Sequence, residues 1–308
     1  MAGLKTIKSK IVAMKKSQTV TRAMEAVSAA KMRKAQQTAL RGRAYARASA
    51  AVLARVAGSR DLAAHPLAAV RPVQKALYIV ITSDKGLAGA LNSGVLRAAA
   101  ADIARAGLST EQVQIIAVGR KAQDYFANRG YDVVRYYANN AAVTSIEMRD
   151  IVDESARLFT QEGGVDVVKV VYQNFVSTFE QRPTLRTVFP LSLDALQQVV
   201  GDIVPARGAF ADQAKAAESH QPSTYTLEPG ETTVLNSVLP LLAGVVVYHA
   251  LLESQASEHS ARMVAMKGAT DKAGERQHAL TLQFNKARQA SITREVSEIT
   301  GGMEAMAS

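Results

Sequence analysis

All eight prolines of this 308-residue chain lie between positions 66 and 240, so residues 1–65 and 241–308 are free of the one residue that most reliably breaks a helix. In the first of these stretches Leu4, Ile7, Ile11 and Met14 are spaced 3–4–3, which places them on one helix face. The apolar stripe resumes at Val20, Met24, Val27 and Met32. Eleven alanines fall between Ala23 and Ala51, and Gly58-Ser59 is a natural stop. A helix over 4–57 would be ~80 Å long. The other end repeats the pattern: Thr232 and Thr233 follow Pro229-Gly230 as caps, and helical sequence continues to Thr300 before Gly301-Gly302. Ile292, Val296 and Ile299 mark its last apolar face. That helix would be ~100 Å long. Neither helix is stable alone, so each needs a partner surface, and the simplest is the other helix. The spacing predicts an antiparallel coiled coil made from the two chain ends. Gln18, Thr21 and Ser28 fall where a strict heptad wants apolar residues, which suggests a rod that also lies against something else.

The middle of the chain has a different period. Residues 76–82 read as a buried strand, Ser83-Asp84-Lys85-Gly86 as a turn, and a helix follows to about Gly107. Strands are expected at 113–118, 131–137, 166–175 and about 178–192, with helices at 121–128 and about 144–162. This alternation predicts a Rossmann-like α/β domain with a parallel sheet covered on both faces. The chain divides on this reading into an N-terminal coiled-coil helix (1–58), a linker (59–75), the α/β domain (76–200), a loop or weakly ordered connection (201–232) and a C-terminal coiled-coil helix (233–302). The longest apolar run, 238–252, is too short to span a bilayer. Nothing before residue 5 reads as a targeting peptide.

Charge is as uneven as proline. Residues 1–60 hold 14 Lys or Arg against one acid, Glu25, whereas the rest of the chain holds 23 basic and 26 acidic residues. The basic balance is therefore local, and it points to an acidic partner there. Nucleic acid, an anionic lipid surface and an acidic protein loop all meet that requirement, although Tyr45 alone among residues 1–60 offers a ring for base stacking. The absence of Cys removes thiol nucleophiles, disulfides and Cys-ligated metals. Neither the Walker spacing nor G-x-G-x-x-G nor G-x-S-x-G occurs, and none of the five histidines forms H-E-x-x-H. His249 and Glu253 stand one turn apart, a pair read here as solvated helix. No catalytic constellation emerges.

Several strings are more specific than any of these patterns. Ile7-Lys8-Ser9-Lys10-Ile11, followed by Thr21-Arg22-Ala23-Met24-Glu25-Ala26-Val27-Ser28-Ala29-Ala30-Lys31-Met32-Arg33, resembles the N-terminal signature of the F-type ATP synthase γ subunit. Ser254-Gln255-Ala256-Ser257-Glu258-His259-Ser260-Ala261-Arg262-Met263-Val264-Ala265-Met266 is similar to the family's C-terminal helix, as is Leu282 to Ile299 with Phe284-Asn285-Lys286-Ala287-Arg288-Gln289-Ala290-Ser291-Ile292-Thr293 at its centre. The turn at Ser83 resembles the family's S-D-[RK]-G-L-C-G-G-L-N, with Ala88 where Cys is frequent and Ala90 where Gly is.

The resemblance implies a coiled-coil rod with the α/β domain at its foot. It implies a rotor shaft with no chemistry and no cofactor of its own. The rod would stand in a ring of α and β subunits, and the foot would bind the ε subunit and the membrane-embedded c-ring. The chain would lie peripherally on the cytoplasmic side of a bacterial plasma membrane. Carried over residue by residue, Arg288, Gln289, Thr293 and Met24 would contact a β subunit. Lys8, Lys15, Arg22, Lys31 and Arg33 would form a basic rod face against acidic β-subunit loops, so that nucleic acid is not needed to explain the charge.

Overall fold

A computed structural model describes residues 2–56, 62, 64–139, 145–192 and 230–307. In chain order the main elements are α1 (Ala2–Val56), β1 (Ala76–Ile81), α2 (Leu91–Arg105), β2 (Val113–Val118), α3 (Arg120–Ala127), β3 (Asp132–Tyr137), α4 (Ser145–Thr160), β4 (Val167–Phe175), β5 (Gln181–Phe189) and α5 (Glu231–Ala307). The chain forms two compact units, one of Met1–Ala29 with Arg262–Ser308 and one of Ala30–Ala261. The connection expected over 201–232 lies outside the described residues, except that Gly230 is described and α5 begins at Glu231. The C-terminal helix does not stop at Gly301-Gly302 as its sequence suggests but continues to Ala307.

The larger unit is built on a five-stranded sheet in the order β3-β2-β1-β4-β5. β1 pairs in parallel with both β2 and β4, and β2 with β3. The sheet is mixed, however, because β5 runs antiparallel to β4. The loop between them, 176–180, is far too short for the crossover that a parallel partner requires. Along β1 the side chains alternate between two cores. Leu77, Ile79 and Ile81 meet Ile151 and Phe159 of α4 and the α5 residues Leu239, Val246 and Ala250. Ala76, Tyr78 and Val80 meet Val95, Ala99 and Ile103 of α2 and Phe126 of α3. β1 is buried at every position, which is why it reads as one continuous apolar run.

By length and composition α5 passes as a membrane-crossing helix, but its apolar stretch is part of this core. Leu239, Ala243, Val247 and Ala250 have no exposed surface. Burial against the sheet accounts for the apolar character of residues 238–252.

One polar network crosses the α2 side of the sheet. Asp102 of α2 accepts from Tyr78 Oη at 2.8 Å and from Lys169 Nζ at 2.6 Å, and it also pairs with Arg105. Burial alone would raise the Asp102 carboxyl, but the hydrogen bonds from Lys169, Arg105 and Tyr78 outweigh it and hold the group below the ordinary carboxylate value. Burial and the same carboxylate push the Tyr78 hydroxyl up, so it stays a donor. A depressed carboxyl adds stability above its unfolded value and loses it as pH falls through the folded one. Asp102→Asn is therefore expected to cost about 2 kcal/mol at neutral pH, moderated because the Lys169 side chain is 25% exposed. In denaturant titrations of the full chain, the gap from wild type should close below about pH 4. A gap of constant size down to pH 3 would show that the network contributes no such linkage.

Candidate functional site

The smaller unit is a two-helix stem. On α1 the covered positions include Leu4, Ile7, Ile11, Met14, Gln18, Thr21, Glu25 and Ser28, in unbroken steps of three and four. On α5 they include Met263, Met266, Thr270, Ala273, Gln277, Leu280, Phe284, Ala287 and Ser291, in the same steps. Both series are heptad seams. The hydroxyls of Thr21 and Thr270 lie 2.7 Å apart, and the Gln18 amide nitrogen lies 2.9 Å from where a Cβ on Gly274 would be. These two contacts set the helices antiparallel, with residue numbers across the seam summing to about 291.

This bears out the heptad positions expected for Gln18, Thr21 and Ser28 and corrects the resumption of the apolar stripe at Val20 and Val27. The seam does not follow the apolar residues to Val20 and Val27, which are 57% and 56% exposed. It keeps its geometric period and takes Gln18, Thr21, Glu25 and Ser28 into the interface instead.

The register also sorts the expected contact residues. Lys8, Lys15 and Arg22 each follow a seam residue (Ile7, Met14, Thr21), so they form a row along one edge of the stem. Lys267, Gly274, Thr281 and Arg288 follow Met266, Ala273, Leu280 and Ala287 in the same way, and antiparallel pairing sets both rows on one edge. That edge carries Lys8, Lys15, Arg22, Lys267 and Arg288, all exposed, and no acid at the paired row positions; the next α5 position in the row, Glu295, lies beyond the paired stretch. Gln289 and Thr293 are exposed one turn apart, and Thr293 Oγ1 donates to the Gln289 carbonyl at 3.0 Å. Met24 is half-buried and faces about residue 267, roughly 30 Å along the axis from Arg288 at 1.5 Å per residue. The structure therefore does not bring Met24 to the region of Arg288, Gln289 and Thr293. Lys31 and Arg33 are exposed on the part of α1 that belongs to the larger unit.

Beyond about residue 291, α5 has no α1 residue opposite it. Ile292, Val296, Ile299 and Met303 recur there at helical spacing and are 51%, 54%, 64% and 65% exposed. Bare apolar surface on a single helix marks a place that another molecule covers.

In the larger unit, the carboxyl end of β1 is the place where a doubly wound sheet usually receives a ligand. Here the turn closes on itself. Ser83 N–H donates to Asn92 Oδ1 at 2.9 Å, Asn92 Nδ2 donates to Ser83 Oγ at 2.8 Å, and Ser83 Oγ donates to the Lys85 carbonyl at 2.6 Å. Asp84 Oδ1 accepts the Arg120 N–H at 2.9 Å. Ala88, at the position where the family often has Cys, is 2% exposed.

Of the pair read from sequence as solvated, His249 is buried on α5 and Glu253 is half-buried, with 3.6 Å between Nε2 and Oε1. Glu253 Oε2 also accepts the Phe175 N–H at 3.1 Å. Sequence reasoning missed Ser257 and Ser260, whose hydroxyls donate to the carbonyls of Gln173 and Thr178 at 3.0 and 2.7 Å. The recurrence of small hydroxyl residues within a helix was the available signal, since such residues let a helix lie close to a strand end. Among the described residues no group of three or more His, Asp or Glu could hold a metal ion.

Among the described residues, the surfaces that stand out are an exposed basic edge and a bare helical end. The family model described as ATP synthase matches residues 3–306. The ATP synthase gamma chain of Pelotomaculum thermopropionicum is 39% identical over 311 aligned residues, covering 99% of this chain and all of the relative. That of Heliobacterium modesticaldum is 36% identical over 306, with the same coverage. Among solved structures, a chain of the Euglena gracilis mitochondrial ATP synthase (OSCP/F1/c-ring) is similar in fold, with a TM-score of 0.66 and 20% identity over 99% of this chain and 95% of its own. A chain of the Tetrahymena thermophila central stalk and c-ring gives 0.55 and 24% over 81% and 99%. The chain belongs to the ATP synthase gamma chain family. As such it is a non-catalytic subunit of a membrane-associated complex.

Proposed function

We propose that this chain is the central-stalk shaft of a bacterial F-type ATP synthase. Its stem stands inside the ring of α and β subunits, and its other surfaces engage the ε subunit and the c-ring. It is thereby held at the cytoplasmic face of the plasma membrane. Proton-driven turning of the c-ring rotates the shaft, and its lopsided profile takes each β subunit in turn through its nucleotide-binding states. The observation that supports this best is the end of α5. A single helix carrying Ile292, Val296, Ile299 and Met303 in the open needs an enclosing apolar wall, which the hollow of a ring supplies. In this reading Arg288, Gln289, Thr293 and Met24 touch β subunits, with Met24 engaging at a different level of the ring. The guanidinium of Arg288 suits a carboxylate partner. Lys8, Lys15, Arg22, Lys31 and Arg33 face acidic β-subunit loops.

The test is co-expression with α and β subunits and assay of ATP hydrolysis in the purified complex. The chain should co-purify at one copy per ring. Arg288→Ala and Gln289→Ala should each lower turnover about tenfold, equivalent to losing one charge-assisted contact, without releasing the subunit. A chain that never enters the ring, or variants with full turnover, would overturn the assignment.

A further inference from the structure

The β4–β5 hairpin displays an aromatic ring in the open. Phe179 is 82% exposed, and Val176 on the same loop is 37% exposed. A single exposed apolar side chain is ordinary on a protein surface. This one is set apart by how firmly its support is held. The N–H groups of Val176 and Ser177 donate to the Glu180 carbonyl at 3.2 and 2.9 Å, and the Glu180 N–H returns a bond to the Ser177 carbonyl at 3.2 Å. Ser177 Oγ accepts from the N–H groups of Phe179 and Glu180 at 3.3 and 3.1 Å. Gln181 Nε2 donates to the carbonyls of Ser177 and Thr178, each at 3.1 Å. Arg182 Nε donates to Glu180 Oε1 at 2.7 Å, so the two charges beside the ring offset each other.

The hairpin is also fastened to α5. Glu253, Ser257 and Ser260 follow in steps of four and three, which sets them on one face of that helix. They bond in turn to the Phe175 N–H at 3.1 Å, the Gln173 carbonyl at 3.0 Å and the Thr178 carbonyl at 2.7 Å. Ser257 and Ser260 have no exposed surface. Thr178 immediately precedes Phe179, so the helix holds the chain right beside the ring. Ser260 in turn lies two residues before Arg262, where the stem's share of α5 begins, and α5 is one helix through this point.

We infer that Phe179 is a tooth on the shaft, a pre-placed aromatic anchor that enters an apolar socket on a β subunit. This rests on the shaft assignment and adds to it a contact outside the stem. The occupant follows from the place of the hairpin along α5. Its bonds reach the last turns before the stem begins, and β subunits are the partners assigned to the stem, whereas the ε subunit and c-ring are assigned to other surfaces. An anchor whose backbone is already fixed loses little freedom on docking, which favours a strong contact from few atoms. Because Glu253, Ser257 and Ser260 tie its base to α5, a push from the socket is delivered to the helix instead of being absorbed by a yielding loop.

Site-specific photocrosslinking in the complex co-expressed with α, β and ε subunits tests this. With p-benzoylphenylalanine in place of Phe179, irradiation should join this chain to β. The same group in place of Arg288 is the reference. Crosslinks to β from position 288 but not from 179 would overturn the tooth and leave the shaft standing, whereas none from either would remove both. Crosslinks from 179 to α or ε in place of β would also overturn it. Phe179→Ala should lower ATP hydrolysis about fivefold, with assembly and melting temperature unchanged, as for loss of an exposed interface anchor. Phe179→Leu, still apolar, should keep more than about half of the turnover. The loss in Phe179→Ala should be the same at about 0.05 and 0.5 M ionic strength, because the tip carries no net charge. Full turnover in that variant would overturn the proposal.

Discussion

Lys8→Glu, Lys15→Glu and Arg22→Glu combined are expected to abolish assembly with α and β subunits while leaving the stem folded. The three side chains are exposed and border the seam without entering it, so reversing them removes no packing. What changes is the sign of one edge. In the wild type that edge carries Lys8, Lys15, Arg22, Lys267 and Arg288 without an acid in the paired stretch. In the variant three acids would face an acidic partner, and like charges brought together at an interface cost several kcal/mol. Recovery of assembled complex should fall by more than about 100-fold, the factor corresponding to roughly 3 kcal/mol. Raising ionic strength from about 0.05 to 0.5 M should restore part of it by screening. Neutral Gln replacements should fall between the two. Helicity by circular dichroism should match wild type. Undiminished assembly of the reversed variant would remove the acidic-partner reading of this edge.

The second large effect belongs to the α/β unit. Gly119 ends β2 with φ +93, and a Cβ there would sit 2.2 Å from the Thr82 carbonyl oxygen and 2.9 Å from its Oγ1. Both the backbone conformation and the space require glycine. Thr82 has little freedom to yield, since its backbone N–H donates to the Val118 carbonyl at 2.8 Å and its Oγ1 accepts from Ala122 N–H at 2.9 Å. Gly119→Ala should cost about 4 kcal/mol and lower the melting temperature by about 10 °C, or leave the chain insoluble. Gly130→Ala is the control. Its φ of +77 is equally unfavourable, but nothing lies within 4 Å of the added methyl, so about 1 kcal/mol is expected. If the two variants melt together, the close approach at Thr82 is not rigid.

The parts of this architecture that were legible in the sequence are those set by period. Leu4, Ile7, Ile11 and Met14 announce the seam, and the uninterrupted apolar run at 76–81 announces a strand buried on both sides. Apolar character misleads where it departs from the heptad period, which itself put Gln18, Thr21 and Ser28 at core positions. Following apolar side chains leads off the seam at Val20, whereas the helix keeps Gln18 and Thr21 inside because its neighbours hold it there. The direction of β5 follows from the length of one loop rather than from strand composition. The covering of His249, and in part of Glu253, was hidden because a pair one turn apart looks the same whether the helix faces water or a sheet. The basic edge was visible as charge, but its alignment with Arg288 depends on the antiparallel register. The distance between Met24 and Arg288 depends on that register too.

The turn between β1 and α2 has a consequence for anyone wishing to inhibit such a chain. In a doubly wound domain this mouth is where a nucleotide, or a drug that mimics one, finds free donors and acceptors. Ser83 and Asn92 bond to each other there, Ser83 also to the Lys85 carbonyl, and Asp84 to the Arg120 backbone. A small molecule would have to break those bonds before making its own. The exposed basic edge is instead long, shallow and repetitive, a shape that favours a macrocycle, a helical peptide or an antibody fragment over a compound of ordinary size.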